Sequence, residues 1–184
     1  AIIAEGRILE KAEKEMAFCE KQGIGIVFFG QEGYPAPLSH LPDPPPVLYI
    51  LGELREADLD GIAVVGTRRP TSYGLQAVRT LAKGLAVHRV TVISGMAIGI
   101  DAAAHKTSLE EGGRTIAVLG SGLDNPYPPS SRALFSRIPS SGAVISEFPS
   151  GTSPYPAHFP RRNRIVAGLA RAVLVVEADF KSGA

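Results

Sequence analysis

The stretch Ile62-Ala63-Val64-Val65-Gly66-Thr67-Arg68-Arg69-Pro70-Thr71-Ser72-Tyr73-Gly74 decides the fold of this 184-residue chain. Its apolar start predicts a buried strand, and Thr71 or Ser72 can cap a helix that follows. Apolar runs, loops of small residues and helical segments then alternate to the end of the chain. This alternation is typical of βαβ units, so we predict an α/β protein with a doubly wound, mostly parallel sheet.

The pattern of elements extends in both directions from this stretch. Apolar residues at three- and four-residue spacing predict a helix that ends at Gly23, and six prolines between residues 35 and 46 impose an extended connection. Right-handed crossovers place the carboxyl ends of parallel strands at one sheet edge, where we expect a ligand. The predicted strands are 24–29, 47–51, 62–65, 90–94, 115–119, 143–146 and 172–177, and the further helices are 74–87, 98–111, 131–137 and 162–171.

Charge is segregated along the chain, although its net charge is only +1. Residues 1–60 carry eleven acidic and five basic side chains, whereas residues 61–184 carry fourteen basic and seven acidic ones. We therefore divide the chain into an N-terminal part (1–60), with one helix, strands and the Pro-rich extension, and a basic core (61–184). Such a core suits a phosphate or nucleic-acid partner, and equally a solvated face without one.

Composition excludes several other classes of protein. Hydrophobic residues make up 45% of the chain, which excludes wholesale disorder. Cys19 is the only cysteine, which excludes a disulfide framework and a thiolate metal cluster. No run of eighteen apolar residues and no signal peptide occurs, so we expect a cytoplasmic protein without a membrane span. Because the chain opens inside a helical pattern at Ala1, we expect that its natural start is missing.

Two loops are suited to binding an anion. After the strand at 62–65, Gly66 lets the backbone approach a ligand, a helix N-terminus follows, and Arg68 adds a bidentate phosphate donor. The alternative is an ordinary βα turn. The segment Phe159-Pro160-Arg161-Arg162-Asn163-Arg164 crowds three arginines at a helix entrance, where cations are unfavourable unless an anion offsets them. Salt bridges to Glu147 or Glu177 are the alternative there.

The loop from Ser94 to Asp101 is less specific. Its glycines either approach a ligand or only permit close packing of a helix on the sheet. Asp101 and His105 share a helix face, which favours a hydrogen-bonded structural pair over a catalytic dyad. A hydrolase triad built from Ser94 and these two residues lacks a nucleophile elbow. The chain also lacks GxxxxGK[ST], HExxH and a complete GxGxxG, so NTP hydrolysis, a zinc site and a dinucleotide site have no support.

Five motifs occur in a fixed order: GTRRPTSYG, SGMAIGIDAAAH, TIAVLGSGLDNPYP, SEFPSGTSPYPAHFPRRNRIVAGLARAVLVVEA and a final SGA. Over residues 33–184 the chain closely resembles the DNA-processing protein A family, also called DprA or Smf. The resemblance implies an extended Rossmann-like domain that binds and protects single-stranded DNA and helps to load RecA in natural transformation. It implies a bacterial homodimer that is not an enzyme and carries no cofactor. It also leads us to expect that the chain stops before the family's last strand.

The resemblance also implies which residues contact DNA. Ile98 stands where the family usually has an arginine, and Pro128 and Pro129 stand where a lysine is often found, so two cations are missing. The family's GSR motif appears as Gly66, Thr67 and Arg68, its SGxA motif as Ser94 and Gly95, and its FPxRNR motif as Phe159, Pro160, Arg162, Asn163 and Arg164.

We therefore predict that the basic strand-end edge cradles the phosphates of single-stranded DNA. Arg68, Arg162 and Arg164 supply charge, and the amides after Gly66 and Gly95 supply fixed donors. Aromatic stacking is expected to contribute less, because tryptophan is absent and the only aromatic residues in the right loops are Phe159, Tyr155, Tyr127 and Tyr73. Two alternatives are a nucleotide-processing enzyme of the lysine-decarboxylase-like group, whose PGGxGTxxE signature is missing, and a nucleotide-sensing module.

Overall fold

A computed structural model of the chain describes residues 2–179, with side chains from Arg7 onward. The final SGA motif, Ser182-Gly183-Ala184, lies outside these residues. The strands are β1 (Ile24–Phe28), β2 (Val47–Gly52), β3 (Ile62–Gly66), β4 (Val92–Ser94), β5 (Thr115–Leu119), β6 (Gly142–Ser146) and β7 (Ala172–Val176). The helices are α1 (Ile2–Gln22), α2 (Ser72–Val87), α3 (Ile100–Glu110), α4 (Arg132–Arg137) and α5 (His158–Leu169).

The seven strands form one sheet in the order β1-β2-β6-β5-β4-β3-β7. From β3 the chain adds strands outward to β6, and α5 then carries it back to place β7 on the other side of β3. The pairs among β3 to β7 are parallel, whereas β1 and β2 join β6 as antiparallel strands. The predicted doubly wound, mostly parallel sheet is confirmed, and the division at residue 61 stays a prediction.

Side chains of the central strands alternate between two buried faces. In β5, Ile116 and Val118 pack with α5 residues such as Ile165, whereas Ala117 packs on the opposite side with Cys19 of α1. Helices α2 and α3 cover the part of that opposite side nearest β3. Because both faces are covered, the strands are apolar at consecutive positions, as their sequences predict.

Helix α5 begins four residues earlier than predicted. Its third residue is Pro160, which is compatible with the first turn because the amide that proline lacks has no helical partner there. The arginines of the segment therefore lie within the first two turns and point to different sides of the helix. Helix α2 has the predicted cap, since the Thr71 hydroxyl accepts a hydrogen bond from the Gly74 amide at 3.1 Å.

A buried carboxylate joins three elements at the amino edge of the parallel strands. Asp58 is 1% exposed and accepts hydrogen bonds from Arg114 Nε and Nη2 (both 2.8 Å), Thr91 Oγ1 (2.7 Å) and the Arg55 amide (2.8 Å). Burial raises the pKa of this carboxyl, but these hydrogen bonds outweigh burial and hold the pKa below its usual value. The cluster ties the segment before β3 to the starts of β4 and β5.

Candidate nucleic-acid interface

A cleft of about 890 Å³ opens at the carboxyl edge of the parallel strands. It lies where the strand order reverses, between the β3–α2 loop, the start of α3, one side of α5, and β7. This is the edge at which the sequence predicts a ligand. Of the predicted site residues, the cleft is lined by Gly66, Thr67, Arg68, Phe159, Pro160, Arg162 and Asn163, whereas Ser94, Gly95 and Arg164 are not among its lining residues.

Arg68 is the predicted cation that faces solvent in this cleft. Its side chain is exposed, and its Cζ atom lies 5.6 Å from the centre of the Phe159 ring. Within residues 2–179 no carboxylate forms a salt bridge with it. The Tyr127 ring lies 5.8 Å from that of Phe159, and Arg69 lines the cleft beside Arg68. One wall therefore combines free positive charge with aromatic rings.

Of these wall residues, Arg69 was missed as a site residue, whereas Tyr127 is among the aromatic residues expected in these loops. Arg69 is adjacent to Arg68 in the same loop, which is a signal that the sequence offers. Tyr127 lies between β5 and α4, far from Phe159 in sequence, so no local pattern could pair the two rings. Their contact gives aromatic side chains a larger place in the cleft than the sequence indicates.

Arg162 lies beneath the cleft rather than at its mouth. The residue is 5% exposed, and its Nη1 atom donates to the backbone carbonyls of Gly95 and Val118. Its Nε atom donates to the Asn163 side chain at 3.1 Å. Burial, opposed by the charge of Asp101, lowers the pKa of Arg162 to about 10. The guanidinium is thus occupied by the ends of β4 and β5.

Arg164 faces the opposite side of α5 and is held by an acidic neighbour. Its Nη2 atom donates to Glu147 Oε2 at 2.6 Å, and Arg161 reaches the same oxygen at 3.1 Å. The Glu147 side chain is only 2% exposed. Of the two carboxylates named as alternatives, Glu147 is therefore the partner of Arg164, and Glu177 has a different role.

Glu177 supplies an internal anion to the N-terminus of α2. Its Oε2 atom accepts the Thr71 amide at 2.9 Å, and its backbone carbonyl accepts the Thr67 amide at 2.8 Å. A Cβ atom on Gly74 would overlap the same carboxylate. The expectation that the amide after Gly66 is a free donor for a ligand is therefore wrong, because that amide has a protein partner.

The glycines of the two loops serve close packing. A Cβ atom on Gly66 would overlap the Val176 carbonyl and approach Ile100. At Gly95 it would overlap the Arg162 guanidinium. Gly95 therefore permits close packing, which is one of the two roles that the sequence allows for it. Gly66 also permits close packing, although its sequence context predicts close approach to a ligand.

Asp101 and His105 do not form the expected pair. Asp101 accepts the amides of Gly95 at 3.1 Å and Ala97 at 3.4 Å, whereas His105 Nδ1 lies 2.6 Å from Thr115 Oγ1. Burial raises the pKa of Asp101, and burial also lowers the pKa of His105 to about 3. Their spacing put them on one helix face, but each finds its partners on a different strand or loop.

Residues 25–184 match the sequence profile of the family described as DNA recombination-mediator protein A. The Smf protein of Synechocystis is 50% identical over 155 residues, which are 82% of this chain and 39% of that protein. The chain belongs to this family. The DNA processing protein DprA of Streptococcus pneumoniae is 43% identical over 82% of this chain and 53% of its own length, so this chain spans about half or less of these relatives.

Solved structures of the DNA recombination-mediator protein A family share the fold. The DprA structure from Streptococcus pneumoniae has a TM-score of 0.81 and 40% identity, covering 91% of this chain and 59% of that one. DprA from Helicobacter pylori, described for its single-stranded DNA binding mode, has a TM-score of 0.77 and 34% identity, covering 87% and 72%. The extended Rossmann-like architecture is thereby confirmed.

None of the helices within residues 2–179 is long and apolar enough to cross a membrane. No group of three or more His, Cys, Asp or Glu side chains among the same residues could hold a metal ion.

Proposed function

We propose that this chain binds single-stranded DNA in the cleft at the carboxyl edge of its sheet. The observation that carries the proposal is Arg68, an exposed guanidinium without a salt bridge among the described residues, set over the Phe159 ring in that cleft. A guanidinium in this state contacts phosphate without first losing an internal partner. Membership of a family in which the Helicobacter pylori relative is described as binding single-stranded DNA supports the same function.

Single strands suit this cleft better than duplex DNA. The aromatic rings of Phe159 and Tyr127 lie beside the cation, and unpaired bases can stack on such rings whereas bases inside a duplex cannot. Base stacking on aromatic rings is tolerant of sequence, so we expect weak base preference. The predicted site is revised accordingly: Arg68 contacts phosphate, Arg162 acts from beneath, and Arg164 lies outside the cleft.

Two further functions are proposed from the family resemblance. These are loading of RecA onto the bound strand and assembly as a homodimer. Both are proposals for a whole protein of the family, since this chain spans about half or less of its curated relatives.

The decisive experiment compares Arg68→Ala with Arg171→Ala. Arg171 precedes β7 at the opposite edge of the sheet and is exposed, so both variants lose one charge. Loss of a charge-assisted phosphate contact should weaken oligo-dT binding by about 1.5–3 kcal/mol in Arg68→Ala only. Fluorescence anisotropy over a salt series measures this, and the log–log salt slope should fall by about 0.7.

Matched ligands separate the alternatives. Oligo-dT should bind more tightly than duplex of equal length, and a mononucleotide should bind least. Equal binding of parent and Arg68→Ala, both folded by circular dichroism, would overturn the phosphate role of Arg68. Saturable mononucleotide binding with little salt dependence would instead support the nucleotide-sensing module.

A further inference from the structure

The segment between β4 and α3 is held from several sides. Met96 is fully buried, and its φ of 56° is a left-handed backbone conformation that residues other than glycine seldom adopt. Asp101 Oδ2 accepts the amides on both sides of it, from Gly95 at 3.1 Å and from Ala97 at 3.4 Å. Arg162 donates to the Gly95 carbonyl. Two residues from two helices thus fix one strained turn, which we call the β4–α3 turn (Gly95–Ala97).

This turn leads directly to the backbone of Arg68. Gly99, with φ of 87°, is the N-cap residue of α3, and a Cβ atom there would lie 2.9 Å from two backbone carbons of Arg68. The next amide, of Ile100, donates to the Thr67 carbonyl at 3.2 Å. A shift of the β4–α3 turn therefore moves the start of α3 against the loop that carries Arg68.

The two residues that hold the turn carry groups of opposite formal charge, and both are buried. Asp101 is 6% exposed and Arg162 is 5% exposed. A buried charge is retained at low cost only where an opposite charge and hydrogen bonds compensate it. Each of the two lowers the free-energy cost of burying the other, and each forms its hydrogen bonds mainly with backbone groups at the strand ends.

We propose that Asp101 and Arg162 are positioning residues that set the place of Arg68 in the cleft through the β4–α3 turn. The inference rests on the proposed DNA-binding function. According to this inference, the Asp101 carboxylate favours DNA binding because it positions Arg68. Simple electrostatics predicts the opposite, because a carboxylate repels the phosphates of DNA.

The opposite sign of these two effects provides the test. Asp101→Asn raises the formal net charge by one, so charge alone predicts binding of oligo-dT that is no weaker than that of the parent. A positioning role predicts weaker binding, by about tenfold, the size expected when hydrogen bonds to a charged group are weakened. The decrease should disappear in the Arg68→Ala background, because Arg68 is the group being positioned.

Two further variants extend this double-mutant cycle. Asp101→Asn with Arg162→Met leaves the net charge unchanged and removes both buried charges, a replacement that proteins often tolerate. This neutral pair variant should bind oligo-dT about tenfold more weakly than the parent. When Arg68→Ala is added to it, the combined variant should bind like Arg68→Ala alone. Asp58→Asn is the matched control, a buried carboxylate of equal charge at the opposite sheet edge, and its folded form should bind like the parent.

The outcomes separate this inference from the proposed function. If Arg68→Ala binds like the parent, the proposed phosphate contact fails. If Arg68→Ala weakens binding but the neutral pair variant binds like the parent, or keeps its full effect in the Arg68→Ala background, the positioning role is wrong and the DNA-binding function stands.

Discussion

Asp58→Asn tests whether the cluster at the amino edge of the sheet holds the fold together. The substitution keeps the shape of the side chain but removes the negative charge of a carboxylate that accepts four hydrogen bonds. Removing one partner of a buried ion pair costs about 3–5 kcal/mol. Because the Arg114 side chain is 23% exposed and can recruit water, we expect the lower end, about 3 kcal/mol. That is a large fraction of the total stability of an ordinary domain.

The effect should depend on pH in one direction. The pKa of Asp58 in the folded protein lies below its usual value of 3.8. Its contribution is therefore present above pH 4 and is lost as the pH falls through the folded pKa. The difference in unfolding free energy between parent and variant should be constant from about pH 7 to 5 and shrink below about 4. Titration of His105 is common to both proteins and cancels in this difference.

Urea unfolding followed by circular dichroism at several pH values measures this difference. The control is Asp60→Asn, two residues away, where the carboxylate is 78% exposed and pairs with an exposed Arg171 at 3.2 Å. Exposed pairs contribute little, so the control should unfold like the parent. A loss below about 1 kcal/mol for Asp58→Asn, or a loss that stays the same at pH 3, would refute the reasoning.

Two remaining predictions concern α5 and assembly. Arg164→Ala should lower the unfolding free energy by about 2 kcal/mol, because Glu147 loses a hydrogen bond to a charged group, while oligo-dT affinity changes as little as in Arg171→Ala. Weakened binding by a folded Arg164→Ala would instead put this arginine in the interface. The family resemblance leads us to expect a weak homodimer, which sedimentation velocity at several concentrations tests. A strict monomer at the highest concentration would contradict it.

The strands and most helices could be predicted because apolar periodicity and capping residues are local signals. Thr71 illustrates this, since its cap depends on a residue three positions away. The start of α5 could not be fixed, because proline is compatible with any position of a first helical turn and Pro160 does not say which one it occupies.

The roles of individual site residues depended on contacts between distant elements. Three arginines at one helix start look alike in sequence, yet the packing of α5 buries Arg162 and turns Arg164 toward Glu147. The sequence allows Gly95 either a ligand-binding or a packing role, and only the structure shows that the Arg162 guanidinium occupies the space above it. Arg68 lines the cleft at the expected sheet edge because its loop follows directly from β3 and leads into α2, and its contact with DNA stays a prediction.

The carboxylate of Glu177 at the start of α2 leaves the cleft less able to fix a ligand in one orientation. In many nucleotide-binding α/β proteins, rigid backbone amides at a helix start fix one phosphate in one orientation. Here that position is neutralised from within the chain by Glu177, so under the proposed function incoming phosphates would meet long, rotatable side chains instead. Such contacts follow a strand as it shifts by a nucleotide, which favours a grip that can slide along a polymer over one that selects a single small molecule.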